Sequence, residues 1–216
     1  QLGKNLIGAF HQPITVVADP LLLETLPRRE FRAGLYEIIK YGVISSRELF
    51  DRLVQDLTHI FARKTEVLVP VIAESCRIKA TIVSKDEHES GLRRTLNFGH
   101  TAGHAIEAVS RYKRLRHGEA VAYGMLVAAD IAVSRKMFTE TDRSSLAKLI
   151  SQLGPLPSVN DLSTKQILEA IRRDKKLLKG RLHVVLPTTI GETTIVDDVT
   201  EREIQQALLT IGIRAR

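Results

Sequence analysis

Apolar residues recur along most of this chain at the three- and four-residue spacing of helices with one buried face. The stretch LETLPRREFRAGLYEIIKYGVI places Phe31, Leu35, Ile38 and Ile39 at that spacing, and Pro27 stands where a first helical turn accepts proline. Segments 47–62, 65–84, 99–111, 118–136, 139–153 and 164–178 carry the same pattern, and a last helix starts near Glu201. The most apolar run, EAVAYGMLVAADIAVS, is cut by Asp130 before it is long enough to span a bilayer, so it reads as a buried helix. Two places break the helical period. ITVVAD (14–19), between Pro13 and Pro20, is a β-branched run that predicts a short strand, and LHVVLPTTIGETTIV alternates around a glycine turn as a β-hairpin near 182–197. No repeat or low-complexity linker interrupts the chain, and GPLPSVNDLS (154–163) reads as a connection. The pattern predicts a mainly α, multihelical domain with a short N-terminal strand and a small hairpin.

Composition narrows the class. In 216 residues, 44% are hydrophobic and 26% charged, the balance of a globular protein able to bury a core. The single cysteine, Cys76, cannot form an internal disulfide, and the start QLGKNLIGAFHQP lacks the pattern of a signal peptide; both point to a reducing, cytoplasmic home with no membrane role. Thirty-two Lys and Arg against 25 Asp and Glu give a formal charge of +7. The basic residues are scattered apart from short clusters at 111–116 and 172–179, and with no Trp and 5% aromatics the chain lacks stacking platforms for single-stranded nucleic acid. A small anionic substrate fits better than nucleic acid.

The chemistry concentrates in NFGHTAGH (97–104). On a helix, His100 and His104 lie one turn apart on one face, a spacing that lets two imidazoles converge on one ion. Thr101 stands where the metalloprotease pattern has glutamate, so the pair alone does not make a site. Around it stand Lys79, Asp86, Glu87, Glu89, Arg93, Asn97, Glu107, His117 and Glu119, a density of polar groups foreign to a core-facing segment. A third ligand is available in His117 or in an upstream carboxylate such as Glu37. Glu107 and Glu119 read equally as partners that orient His104 or His117 and as ordinary helix-end charges. Gly118 and Gly124 mark close backbone approach or tight helix packing. His11, His59, His88 and His183 fall outside the site motifs and are assigned to surface or packing.

The segments GKNLIGAFHQP (3–13), AGLYEIIKYGVI (33–44), KATIVSKDEHESGLRRTLNFGHTAGHAIE (79–107), HGEAVAYGM (117–125) and RDKK (173–176) together resemble the dehydroquinate synthases, in the family's order and near its spacing. The resemblance implies an enzyme of the shikimate pathway that converts 3-deoxy-D-arabino-heptulosonate 7-phosphate to 3-dehydroquinate and phosphate. It implies NAD and a divalent metal, usually zinc with cobalt as a substitute, and a homodimer in the full-length enzyme. Carried over by position, it puts the metal ligands at Glu37, His100 and His117, which removes His104 from the ligand set and gives it a phosphate-region or proton-handling role. It further implies that Lys40 and Lys79 reach substrate oxygens, that Arg93 forks onto the substrate carboxylate, and that Asn97 supplies a polar contact. Asn5 and Lys176 then contact substrate, and Lys4 and Asn5 approach the cofactor. Glu89 matches a motif carboxylate able to hold neighbouring lysines.

The family also carries a nucleotide-binding domain with a glycine-rich phosphate loop ahead of the GKN segment, and no G-x-G-x-x-G follows a strand in this sequence. Residues 1–19 are accordingly expected to lead out of such a domain, and residues 20–216 to form the helical metal- and substrate-binding domain. Rival readings are another sugar-phosphate cyclase such as 2-deoxy-scyllo-inosose synthase, a metal-dependent alcohol dehydrogenase, and a non-catalytic anion-binding helical module. Arg93 argues for a carboxylated substrate, and Lys40, Lys79 and Arg93 together argue against a simple alcohol.

Overall fold

The structure is a computed structural model that describes residues 11, 13–87, 91–177 and 182–215, with 174–177 described by backbone only. The described helices are α1 (Arg28–Ser45), α2 (Arg47–Gln55), α3 (Leu57–Phe61), α4 (Thr65–Lys85), α5 (His100–Val109), α6 (His117–Ser134), α7 (Glu140–Gln152), α8 (Thr164–Leu177) and α9 (Glu201–Thr210). Strands β1 (Val184–Thr189) and β2 (Glu192–Val196) form an antiparallel hairpin that pairs Val184 with Val196 and Leu186 with Thr194. Short 3-10 turns cover Pro20–Leu23 and Leu92–Asn97. The predicted mainly helical fold and hairpin are therefore present.

Helix α6 is the axis of the domain. From Gly118 to Ala132 nearly every residue is buried, because α1, α5, α7, α9 and β1 surround it. A helix apolar all round is stable only in such a position. Its small residues set how closely its neighbours approach: a Cβ on Gly118 would lie 1.9 Å from the Ala33 carbonyl oxygen of α1, and one on Gly124 would lie 1.7 Å from the Gly99 carbonyl oxygen. The Gly118 and Gly124 expectation thus resolves as close helix packing. Charged pairs fasten the rim of α6: Arg143 to Asp130 at 2.6 Å, and Arg135 to Glu203 at 2.6 Å and Asp198 at 2.7 Å. The hairpin is tied to α1 by Gly191 N–H, which donates to the Val43 carbonyl at 2.9 Å.

Three expectations need correction. Residues 14–19 form no ladder, and Ile14, Val16 and Val17 are exposed, because a strand needs a neighbouring edge and the described residues offer none there. The predicted helix over 47–62 divides at Asp56, which caps the end of α2 and begins α3 (φ −98°, ψ 10°), a boundary role that aspartate favours over a helix interior. The predicted start at Pro27 is the N-cap of α1, one residue before the helix proper. No helix among the described residues is long and apolar enough to cross a membrane.

Candidate metal centre

Three elements meet at the site. Glycines bring α5 against α6: Gly99 begins α5 in the left-handed region (φ 77°), and Gly103 packs so that a Cβ would stand 3.0 Å from the Ala120 carbonyl oxygen. Across this close seam the rings of His100, the first residue of α5, and His117, the first residue of α6, come together with centroids 5.2 Å apart. His104, one turn along α5, lies 5.1 Å from the His100 ring and 5.7 Å from the His117 ring. Among the described residues, ligand atoms of His100, His104 and His117 all lie within 4.8 Å of one another.

Glu37 reaches the same place from α1. Its Oε1 lies 3.5 Å from His117 Nε2 and 3.8 Å from His100 Nε2. That oxygen is buried and accepts no hydrogen bond, whereas Oε2 accepts from Lys40 Nζ at 2.6 Å. The separations are close to the roughly 3.4 Å edge of a tetrahedron with metal–ligand distances near 2.1 Å, and carboxylate with imidazole is a donor set suited to zinc or cobalt. A divalent cation fits these residues, and it would give the orphaned oxygen its partner.

Both facing imidazoles are turned to present Nε2. His100 Nδ1 stands 3.1 Å from the Phe98 carbonyl, and His117 Nδ1 stands 3.0 Å from Glu107 Oε2. Carbonyl and carboxylate oxygens only accept, so Nδ1 carries a proton in each ring and Nε2 is the nitrogen turned toward Glu37. Burial, then the Lys40 charge, holds His100 down at about 4, so the ring is neutral at pH 7. For Glu37, burial raises the carboxyl, but the charge and hydrogen bond of Lys40, with His100 and His117, outweigh it and leave it below the usual range. Lys40 is itself buried, at 4% exposure, so this ion pair sits largely out of water.

The remaining sequence-predicted residues are distributed as follows. Arg93 and Asn97 belong to the 3-10 turn that leads into α5, and Asn97 is exposed. Buried Asp86 shapes the approach to that turn: its Oδ2 accepts from Gly91 N–H at 2.8 Å and Arg93 N–H at 2.9 Å, while Arg93 Nη1 donates to the Glu87 carbonyl at 2.7 Å. Lys79 is exposed on α4. Lys4, Asn5 and Glu89 lie outside the described residues, as does the side chain of Lys176.

The two acidic residues that the sequence left open take different roles. Glu107, 4% exposed, holds His117. Glu119 orients no histidine: it accepts from Arg29 Nε at 2.8 Å, Arg29 Nη2 at 2.7 Å and, from the third position of α6, the N-cap N–H of Arg116 at 2.8 Å. The helical register carried a signal for Glu107, because positions 100, 104 and 107 share one face of α5.

The chain is similar to known proteins over nearly its whole length. The family model described as 3-dehydroquinate synthase C-terminal matches residues 34–177, and the one described as 3-dehydroquinate synthase N-terminal matches residues 1–33. The 3-dehydroquinate synthase of Solibacter usitatus (strain Ellin6076) is 48% identical over 206 residues, covering 95% of this chain and 58% of that protein. That of Nostoc sp. (strain PCC 7120 / SAG 25.82 / UTEX 2576) is 47% identical over 209 residues, covering 95% and 58%. The chain thus spans a little under three-fifths of the length of these relatives. Among solved structures, 2-epi-5-epi-valiolone synthase from Streptomyces hygroscopicus subsp. jinggangensis 5008, with NAD+ and Zn2+ bound, superposes with a TM-score of 0.85 at 29% identity over 97% of this chain and 58% of that one. A 2-deoxy-scyllo-inosose synthase complexed with carbaglucose-6-phosphate, NAD+ and Co2+ gives 0.75 at 26% identity, again over 97% and 58%. With the C-terminal family model covering most of its length, the chain belongs to the 3-dehydroquinate synthase family.

Proposed function

We propose that this chain is the metal- and substrate-binding part of a 3-dehydroquinate synthase, acting on 3-deoxy-D-arabino-heptulosonate 7-phosphate to give 3-dehydroquinate and phosphate. The observation that carries the reading is Glu37 Oε1, buried, without a hydrogen-bond partner, and facing two imidazole nitrogens at 3.5 and 3.8 Å. An unsatisfied buried carboxylate oxygen is costly in a stable fold and is accounted for by a cation. Glu37, His100 and His117 would hold that ion. Residues 20–216 form this part, residues 1–19 lead into it from a nucleotide-binding part, and the enzyme works as a cytoplasmic homodimer.

When bound, zinc or cobalt supplies Lewis acidity to a substrate hydroxyl and NAD supplies a hydride acceptor that is regenerated within each turnover. The chain's own residues do the positioning. Lys40 occupies Glu37 Oε2, so the carboxylate offers Oε1 alone, and its buried ammonium adds positive potential where an anionic substrate must lie. Arg93, whose backbone is fixed by Asp86, presents a planar guanidinium suited to a carboxylate. His104, stacked edge-on to His100, is placed to hydrogen-bond or carry a proton beside the ion. Lys79, Asn97 and Lys176 complete the substrate contacts, and Lys4 and Asn5 those to NAD. The cyclases of known structure share the fold, and Arg93 is the residue of this chain whose chemistry favours a carboxylated substrate.

The test is a hybrid in which residues 1–216 replace the matching region of the Solibacter relative, assayed with NAD and zinc. Phosphate release from the heptulosonate phosphate is expected, with glucose 6-phosphate inert. Turnover of glucose 6-phosphate with no reaction of the heptulosonate would overturn the reading in favour of an inosose-type cyclase.

A further inference from the structure

The two imidazoles that face Glu37 are held in unlike ways. His100 is 13% exposed and its Nδ1–H meets a backbone carbonyl, which any residue at position 98 would provide. His117 is 42% exposed at the first position of α6, where a side chain has wide rotamer freedom, and its Nδ1–H meets a side chain that is itself 5% exposed. That partner, Glu107, stands ten residues back along the chain on α5, on the far side of the turn formed by Arg111 and Tyr112, both in the left-handed region (φ 59° and 55°). The backbone there is pinned: Tyr112 N–H donates to the Glu107 carbonyl at 2.9 Å, and Ser110 Oγ donates to the same oxygen at 3.0 Å. A carboxylate kept out of water at the end of a rigid helix, aimed at the outer nitrogen of a ring whose inner nitrogen faces a cation site, fixes ring orientation and tautomer and strengthens the inner nitrogen as a donor.

We propose that Glu107 is a positioning residue for the metal, acting through its 3.0 Å contact with His117 Nδ1. The inference rests on the assignment of Glu37, His100 and His117 as ligands. Glu107 contributes a second negative charge beside the site, so that with Glu37 it offsets the divalent ion while Lys40 remains to meet the substrate.

Zinc affinity of the purified chain, measured by competition with a chromophoric chelator, together with the visible spectrum of the Co2+ form, tests this. His117→Ala should weaken zinc more than about a hundredfold, and if it leaves affinity within twofold, the ligand assignment itself fails. With that control satisfied, Glu107→Gln should weaken zinc about tenfold and Glu107→Ala up to about a hundredfold, each shifting the Co2+ band. Glu107→Gln is isosteric and decides the matter if Glu107→Ala does not fold. Affinity within twofold of the unaltered chain in Glu107→Gln, or a lowered unfolding midpoint of its metal-free form with an unchanged Co2+ spectrum, overturns the proposal.

Discussion

Glu37 and Glu119 are carboxylates of the same seam between α1 and α6, and their surroundings treat them oppositely. Both Glu119 oxygens are engaged, by the Arg29 fork and the Arg116 N–H, with Arg32 a further 3.7 Å away. Burial raises its carboxyl, but the Arg29 and Arg116 hydrogen bonds more than reverse this. Glu37 has one oxygen matched by Lys40 and the other left facing two imidazole nitrogens. A complete set of partners marks a group that holds the fold together, and an incomplete set facing imidazole nitrogens marks one that waits for a ligand. Depth does not account for the difference: Glu119 is fully buried with both oxygens matched, whereas Glu37, at 28% exposure, is the one that leaves an oxygen without a partner.

The comparison breaks most visibly in metal affinity. Glu37→Gln should weaken zinc by more than about a hundredfold, roughly 3 kcal/mol or more, while Glu119→Gln changes it by no more than about threefold; chelator competition reads both. Equal losses would mean that the two carboxylates do not differ in kind. Glu119→Gln should instead lower unfolding free energy by about 2 kcal/mol in urea, because an amide nitrogen would then oppose a guanidinium or a backbone N–H.

The packing that presents the site should respond next. Gly124→Ala puts a methyl group on the Gly99 carbonyl, so α5 must shift from α6 and carry His100 away from His117. A loss of about 1–3 kcal/mol in stability is expected together with weakened zinc binding, and a stable variant with unchanged affinity would show that the glycine seam does not set the ring separation.

The smallest expected effect is in pH. His100 is held at about 4 in the fold against an ordinary 6.5. A histidine depressed in this way contributes stability that is complete above its unfolded value and lost as the pH falls through its folded value. The metal-free chain should therefore lose stability progressively as the pH falls from 6.5 to about 4, and His100→Asn should flatten that slope in urea titrations at fixed temperature.

Much of this was legible in residues alone. Periodicity gave the helices, because burial on one face or all round is written in the spacing of Phe31, Leu35 and Ile39 and in the unbroken apolar length of α6. Glycines 118 and 124 announced close contact, although not with which backbone. The strand expected at 14–19 was misread because β-branched composition states a preference and says nothing of a partner edge. The opposite fates of Glu107 and Glu119 were hidden for a related reason. Both are glutamates close to His117, and only the packing of α1 decides that Arg29 claims one of them and leaves the other to the imidazole.

The most direct measurement of the central claim is anomalous diffraction at the zinc edge from crystals of the zinc-loaded chain. The account predicts one peak about 2.0–2.2 Å from Glu37 Oε1, His100 Nε2 and His117 Nε2, with His117 Nδ1 still on Glu107. A peak ligated by His104 with Glu37 left outside, or one away from these three residues, would contradict it.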